Sequence, residues 1–312
     1  MNNDLPQVTK IYQNHHLDST HWDSYSPREG DIIVVTPYKS GTTWMQTIVR
    51  NLVFGEQESE VPSLSQVFPW LDRRLSPIEP MIANLEAQEH RRSIKSHLPL
   101  DGIPYFPQTK YIVVSRDARD VFMSLWNHYG NYTDLFYQML NETPGRIGLP
   151  IPRCPNKAHQ LWHMWITSGW FDWESEGYPF WSNMRHVQTW WNYRHLPNIL
   201  FVHFNDLLSH LPREILRVAG FLDINLDDDF LGSIVKSVSF ISMKQRAERT
   251  WPNMENVMSG GAQTFFNKGT NGRWKEVLTK HDLELYENAV TRELSKECAA
   301  WLEKGRVTTK FV

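Results

Sequence analysis

Four separated stretches of this chain carry residue types that bind anions or move protons. The first is Pro37-Tyr38-Lys39-Ser40-Gly41-Thr42-Thr43-Trp44. It follows the β-branched run Asp31-Ile32-Ile33-Val34-Val35, which reads as a buried strand. Pro37 stops that strand, Gly41 permits a tight turn, and Thr42-Thr43 opens a helical pattern through Met45, Ile48, Val49 and Leu52. A strand, turn and helix start aim unpaired backbone N–H groups at one point, and such a point binds anions such as phosphate. Lys39 adds positive charge, the two threonine hydroxyls add donors, and Trp44 adds a flat apolar face. The loop departs from the nucleotide-triphosphate motif, because no lysine follows Gly41. The second stretch, Lys110 to Ser124, is a strand that ends in Arg116 and leads into a helix carrying Ser124. A guanidinium there offers phosphate a bidentate fork, or else pairs with Asp117 or Asp120. The third is Lys95-Ser96-His97 at the end of a short strand, where an imidazole can take a proton near neutral pH. The fourth is Asn267-Lys268-Gly269-Thr270-Asn271-Gly272-Arg273-Trp274-Lys275.

Elements must bring these stretches together. Strands at 31–35, 93–98, 110–115 and 198–204 alternate with helical patterns. This predicts an α/β fold: a central parallel sheet with helices on both faces, and ligands at the carboxyl ends of the strands. Predicted helices start at Thr42 and cover residues 83–89, 118–126, 159–170, 181–195, 206–220, 226–237 and 281–302. Residues 56–66 read as a loop, 130–160 as long loops near an opening, and 246–274 as a mobile loop. Residues 1–30 form a polar and aromatic arm, either an ordered lid or a loose one. No repeat is visible, and one domain over 1–312 is expected.

Composition excludes several classes. The net charge of −3 gives no bulk attraction for nucleic acid, and no apolar run is long enough to span a bilayer. Two cysteines, Cys154 and Cys298, rule out a disulfide framework and fit a reducing compartment. The polar start lacks a signal peptide's apolar core, so a cytoplasmic protein is expected. The scattered His and Asp make no metal site. The excess is aromatic: 14 Trp, 15 Phe and 11 Tyr, enough to fill a core or to line a cavity for a flat or apolar ligand.

Residues 37–44 resemble the 5′-phosphosulfate loop of the cytosolic sulfotransferase family, and the stretch from Tyr111 to Ser124 is similar to its 3′-phosphate segment. Lys95-Ser96-His97-Leu98-Pro99 resembles the family's Lys-Thr-His-Leu-Pro. At 267–275 the family has Arg-Lys-Gly followed by a Gly-Asp-Trp-Lys ending; here Asn267 replaces the arginine and Arg273 the aspartate. Arg273 offers the missing charge, but the sequence does not place it. The resemblance runs from about Asp31 to Lys275. It implies a P-loop-like sulfotransferase fold and transfer of a sulfuryl group from 3′-phosphoadenosine 5′-phosphosulfate (PAPS, product PAP) to a hydroxyl or amine of a small-molecule acceptor. It also implies His97 as general base, Lys39 facing the bridging oxygen, Lys95 facing the sulfuryl group, and Ser40 restraining Lys39 until acceptor arrives. The donor's contacts would come from Lys39, Ser40, Gly41, Thr42, Thr43, Trp44, Arg116, Ser124, Asn267, Lys268 and Gly269. Phe240 and Met243 match the adenine segment, while Phe204 stands for a tyrosine and Val238 for a threonine; core packing is the alternative for these four. Two other classes remain open. A P-loop kinase or nucleotide hydrolase would need a lysine after the glycine and a magnesium carboxylate; a non-catalytic nucleotide-binding protein would need neither.

The same resemblance places acceptor walls at Trp22, Trp70, His128, Tyr129 and Trp170, near Trp126, Trp165 and Trp181. Asp18, Asp23, Asp172, Glu174 and Glu176 lie in the same regions, so either the tryptophans are core and the acids solvated loop charges, or the acceptor is an aromatic or cationic molecule. The family's dimer motif appears as Lys275 to Glu284 with Lys280 in place of a valine, so a monomer or weak dimer is expected.

Overall fold

The strand-forming runs pair in parallel. In the computed structural model, which describes residues 5–55 and 63–306, β1 (Ile32–Val35), β2 (Ser93–Ser96), β3 (Lys110–Ser115) and β4 (Ile199–His203) make a sheet of order β2-β1-β3-β4. Val35 at the end of β1 lies opposite Ser96 at the end of β2 and Val113 of β3, which runs two residues further to Ser115, so the three carboxyl ends lie side by side. The chain leaves β1 toward β2 and returns past it to β3. The crevice beyond β1 and β3 is therefore the switch point where such sheets bind ligands.

Alternation along the strands gives the sheet two apolar faces. Ile33, Val35, Ile94, Tyr111 and Val113 pack into one core with Trp22, Trp162, Trp165 and Trp190. Ile32, Val34, Ile112, Val114 and Val202 pack into the other with Met45, Ile48 and Val218. Most of the tryptophans thus fill the first core. The N-terminal arm belongs to it too, with Tyr12, Leu17, Trp22 and Tyr25 buried.

Several element boundaries differ from expectation. Residues 56–62 lie outside the described residues, and Leu64–Val67 of the expected loop is a helical turn with a Ser63/Gln66 capping box. The helix expected at 83–89 spans Ile78–Glu86 instead. The stretch 130–160 contains a helix, Asp134–Glu142, capped by Thr133. The helix expected over 206–220 is two, Phe204–Ser209 and Leu211–Phe221, with Pro212 in the first turn of the second. The terminal helix also divides, into Lys280–Glu293 and Lys296–Lys304, because Ser295 caps the second piece. Residues 246–274 carry two short helices, Ala247–Thr250 and Gly261–Phe265. Among the described residues no helix is long and apolar enough to cross a membrane.

Candidate active site

The loop after β1 turns at two left-handed residues, Lys39 (φ 68°) and Gly41 (φ 106°). Glycine is required at 41: a Cβ there would lie 2.9 Å from the Phe204 ring. The helix Thr42–Phe54 follows, and among the described residues no side chain caps its N-terminus, so its first amides remain available. Lys39 Nζ sits 4.5 Å from the centre of the Phe265 ring, and Lys95 Nζ sits 4.1 Å from that of Trp70. Burial depresses both amines to a pKa of about 7. Lys95 and Arg116 push Lys39 further down, as Arg73 does Lys95, against the opposing pull of Asp72. These are cations enclosed without enough negative charge.

His97 is buried between Tyr38, Trp70 and Trp181. Its Nδ1 lies 2.8 Å from the carbonyl oxygen of Thr36 and 3.1 Å from that residue's hydroxyl. The carbonyl can only accept, so Nδ1 carries the proton and Nε2 keeps its lone pair. The His97 backbone N–H donates to Asp72 Oδ2 at 3.1 Å, and Asp72 also accepts from Trp70 Nε1 at 2.8 Å. Burial, and then the charge of Lys95, hold the imidazole well below its ordinary pKa, so it is neutral.

Arg116, at the end of β3, lies 4.2 Å from the Phe204 ring centre and donates to Asn271 Oδ1 and the Thr270 carbonyl. The 267–273 stretch is thereby drawn over the sheet's end, and Gly269 meets Phe240 so closely that a Cβ would fall 2.5 Å from the ring. The result is one cavity of about 680 Å³, within the range of ligand sites. Its walls include Lys39, Gly41, Thr42, Thr43, Trp44, Lys95, His97, Arg116, Ser124, Phe204, Phe240, Met243, Asn267, Lys268 and Gly269. Ser40 is excluded: it is fully buried, and its hydroxyl has no partner among the described residues. Val238 is likewise buried, in the second core.

At the acceptor end the sequence reading is corrected. Trp70 and His128 line the cavity; Trp22, Tyr129 and Trp170 do not. Trp22 is a core residue donating to Asp72. Tyr129 is buried with its hydroxyl on the Pro152 carbonyl. Trp170 packs on His15 and Tyr178. Among the described residues no Asp or Glu lines the cavity, and the carboxylates that suggested a cationic acceptor lie elsewhere. Asp18 caps the 3-10 turn Ser19–Ser24, Glu174 accepts from the Ser182 amide, Glu176 accepts from the Met184 amide, and Asp23 and Asp172 are exposed. His16, Tyr38, Arg73, Phe136 and Phe265 line the cavity without having been read as site residues. They come from the arm, from a loop and from helices whose proximity no local pattern reveals.

A family model described as the sulfotransferase domain matches residues 29–298. The chain belongs to the sulfotransferase family. A glycolipid sulfotransferase of Mycobacterium bovis is 32% identical over 98% of both chains. Sulfotransferase 1B1 of Canis lupus familiaris is 29% identical over 88% of this chain and 86% of its own. The fold is shared with a mouse sulfotransferase complexed with PAP, at 20% identity and TM-score 0.66 over 90% of this chain and 91% of the other. It is also shared with retinol dehydratase in complex with retinol and PAP, at 21% identity and TM-score 0.66 over 89% and 84%. In this sulfotransferase the cavity suits a nucleotide carrying several negative charges. It gathers the under-neutralised amines of Lys39 and Lys95 and the guanidinium of Arg116, with the Phe204 and Phe240 rings close against Gly41 and Gly269.

Proposed function

We propose that this sulfotransferase moves the sulfuryl group of PAPS to a hydroxyl on a neutral, largely apolar acceptor, with His97 as the general base. The observation carrying this reading is the meeting, in one cavity with no lining carboxylate among the described residues, of Lys39, Lys95 and Arg116 with an imidazole whose Nε2 is unprotonated. The donor supplies an electrophilic sulfur joined to a good leaving phosphate. Lys39, the amides of the helix beginning at Thr42, and the Thr42 and Thr43 hydroxyls hold the phosphosulfate and stabilise charge on the leaving group. Arg116, Ser124, Lys268 and Gly269 hold the 3′-phosphate, while Trp44, Phe204, Phe240 and Met243 enclose the base. Lys95 balances charge on the group in transit. His97 Nε2 takes the acceptor's hydroxyl proton while Thr36 steadies the resulting imidazolium through Nδ1.

The acceptor's body lies against Phe68, Trp70, Met81, Phe136 and Val257, all in the cavity wall. A lipid or glycolipid alcohol fits such walls, and the mycobacterial relative is named for glycolipids. Initial rates with labelled donor decide the matter, using size-matched neutral and cationic alcohols and a glycolipid in mixed micelles. Faster sulfation of the neutral and glycolipid compounds is expected; a preference for the cation overturns the acceptor reading.

A further inference from the structure

The cluster of cations at the end of β3 contains one guanidinium that no part of the mechanism above uses. The stretch 267–273 is anchored at three points. Arg116 donates to the Thr270 carbonyl at 3.0 Å and to Asn271 Oδ1 at 2.6 and 2.9 Å. Asn271 Nδ2 donates to Asn205 Oδ1 at 2.5 Å, and the Gly272 amide donates to Asp120 Oδ1 at 2.7 Å. Gly272 is left-handed, with φ at 83°, and begins the 3-10 turn Arg273–Glu276. Position 273 thus returns toward the sheet, and Arg273 lines the same cavity as Arg116, Ser124 and Lys268. Asn267, in the same wall, brings an amide and no charge.

Arg273 Nε is buried, and it has no hydrogen-bond partner among the described residues. A buried donor left unmade is costly, and in a native structure it calls for an explanation, such as a bound group that it meets. Burial lowers the pKa of Arg116 most, Asp120 raises it, and Arg273 lies near enough to push it down again by a smaller amount. Two guanidinium groups in one cavity wall, Arg116 against the Phe204 ring and Arg273 with an unpartnered Nε, suit a group with a double charge and several acceptor oxygens, and a phosphate monoester has both. The other anion-binding point, around Lys39 and the helix start at Thr42, lies one strand away beyond β1. The two points therefore serve opposite ends of one doubly anionic nucleotide.

Resting on the donor assignment above, we propose that Arg273 closes with Arg116, Ser124 and Lys268 on the donor's 3′-phosphate. In doing so it makes this chain select 3′-phosphorylated nucleotides without an arginine at 267. The charge has moved six positions along the loop, and the turn at Gly272 brings it back to the same cavity.

Calorimetric titration with adenosine 3′,5′-bisphosphate and with adenosine 5′-monophosphate tests this. Arg273→Ala and Arg273→Gln are expected to weaken bisphosphate binding about tenfold or more, the worth of a charge-assisted bond, and to leave monophosphate binding within about twofold. Arg273→Lys is expected to recover part of the loss, and Asn267→Arg added to Arg273→Ala to recover most of it. Equal weakening for both nucleotides, or no weakening, overturns the inference, as does failure of both rescues. A wild-type protein that binds the two nucleotides alike overturns the donor reading itself, a separate outcome. Should Arg273→Ala fold poorly, the near-isosteric Arg273→Gln carries the test.

Discussion

His97, the proposed general base, owes its state to its surroundings. The carbonyl of Thr36 fixes its tautomer, and burial keeps it neutral. His97→Ala is expected to lower turnover by about two to four orders of magnitude, the usual worth of a general base. Bisphosphate affinity in that variant should stay within about twofold by calorimetry. The two lysines make a pH prediction. With pKa values of about 7, Lys39 and Lys95 are partly neutral in the free protein just above that pH. A bound anion favours their charged forms, so bisphosphate binding should take up protons near pH 8 and almost none near pH 6. Affinity should therefore fall as pH rises from about 7 to 9. The free protein carries the opposite sign: its unfolded lysines bind more protons than the folded ones between about 7 and 10, so these two groups add stability as pH rises through that window. Titrations in buffers of different ionisation enthalpy measure the uptake, and Lys39→Met should reduce it.

Two elements illustrate how loops and caps set the site. The 267–273 stretch is held by Asn271, which bonds Arg116 on one side and Asn205 on the other. Asn271→Ala should release both partners and weaken bisphosphate binding about tenfold, as expected when a charge-assisted contact loses its aim. Asn271→Asp would instead place a carboxylate against Arg116 and compete with the phosphate, so its loss should be larger. The helix Lys280–Glu293 begins at Thr279, whose hydroxyl accepts from the Asp282 amide while Asp282 accepts from the Thr279 amide. Thr279, read in the sequence as part of a dimer motif, thus has work within its own chain. Thr279→Ala should cost about 1 kcal/mol in chemical denaturation, the usual value of an N-cap.

At the scale of the whole molecule, the cavity takes walls from residues 38–39, 41–44, 95, 97, 116, 124, 204, 240, 243, 267–269 and 273. A ligand held by all of them joins both faces of the sheet to the chain's last third. Adenosine 3′,5′-bisphosphate at about a hundred times its dissociation constant should then stabilise the entire fold by about 2.7 kcal/mol. ADP or ATP with magnesium should do much less. Thermal unfolding followed by circular dichroism compares them; equal shifts for ATP and the bisphosphate would favour a nucleotide hydrolase.

Much of this was legible in the sequence because it is local. The apolar strand runs at 31–35, 110–115 and 198–204, the Gly41 turn and the helix pattern from Thr42 are set by backbone sterics and periodicity over a few residues. The parallel sheet follows from strands and helices in alternation. Three polar strand ends could be expected to meet, and Lys39, Lys95 and Arg116 line one cavity. Tertiary structure decided what depends on distance across the fold. It placed Arg273 beside Arg116, although they are 157 positions apart in the sequence. It turned Trp22 and Tyr129 into core, and it put Glu174 and Glu176 on backbone amides away from the cavity. An aromatic ring or a carboxylate has the same composition in a core, a cap or a binding wall. Only the packing of distant elements fixes which surface it meets, and so the acceptor's surroundings could not be read from any single stretch.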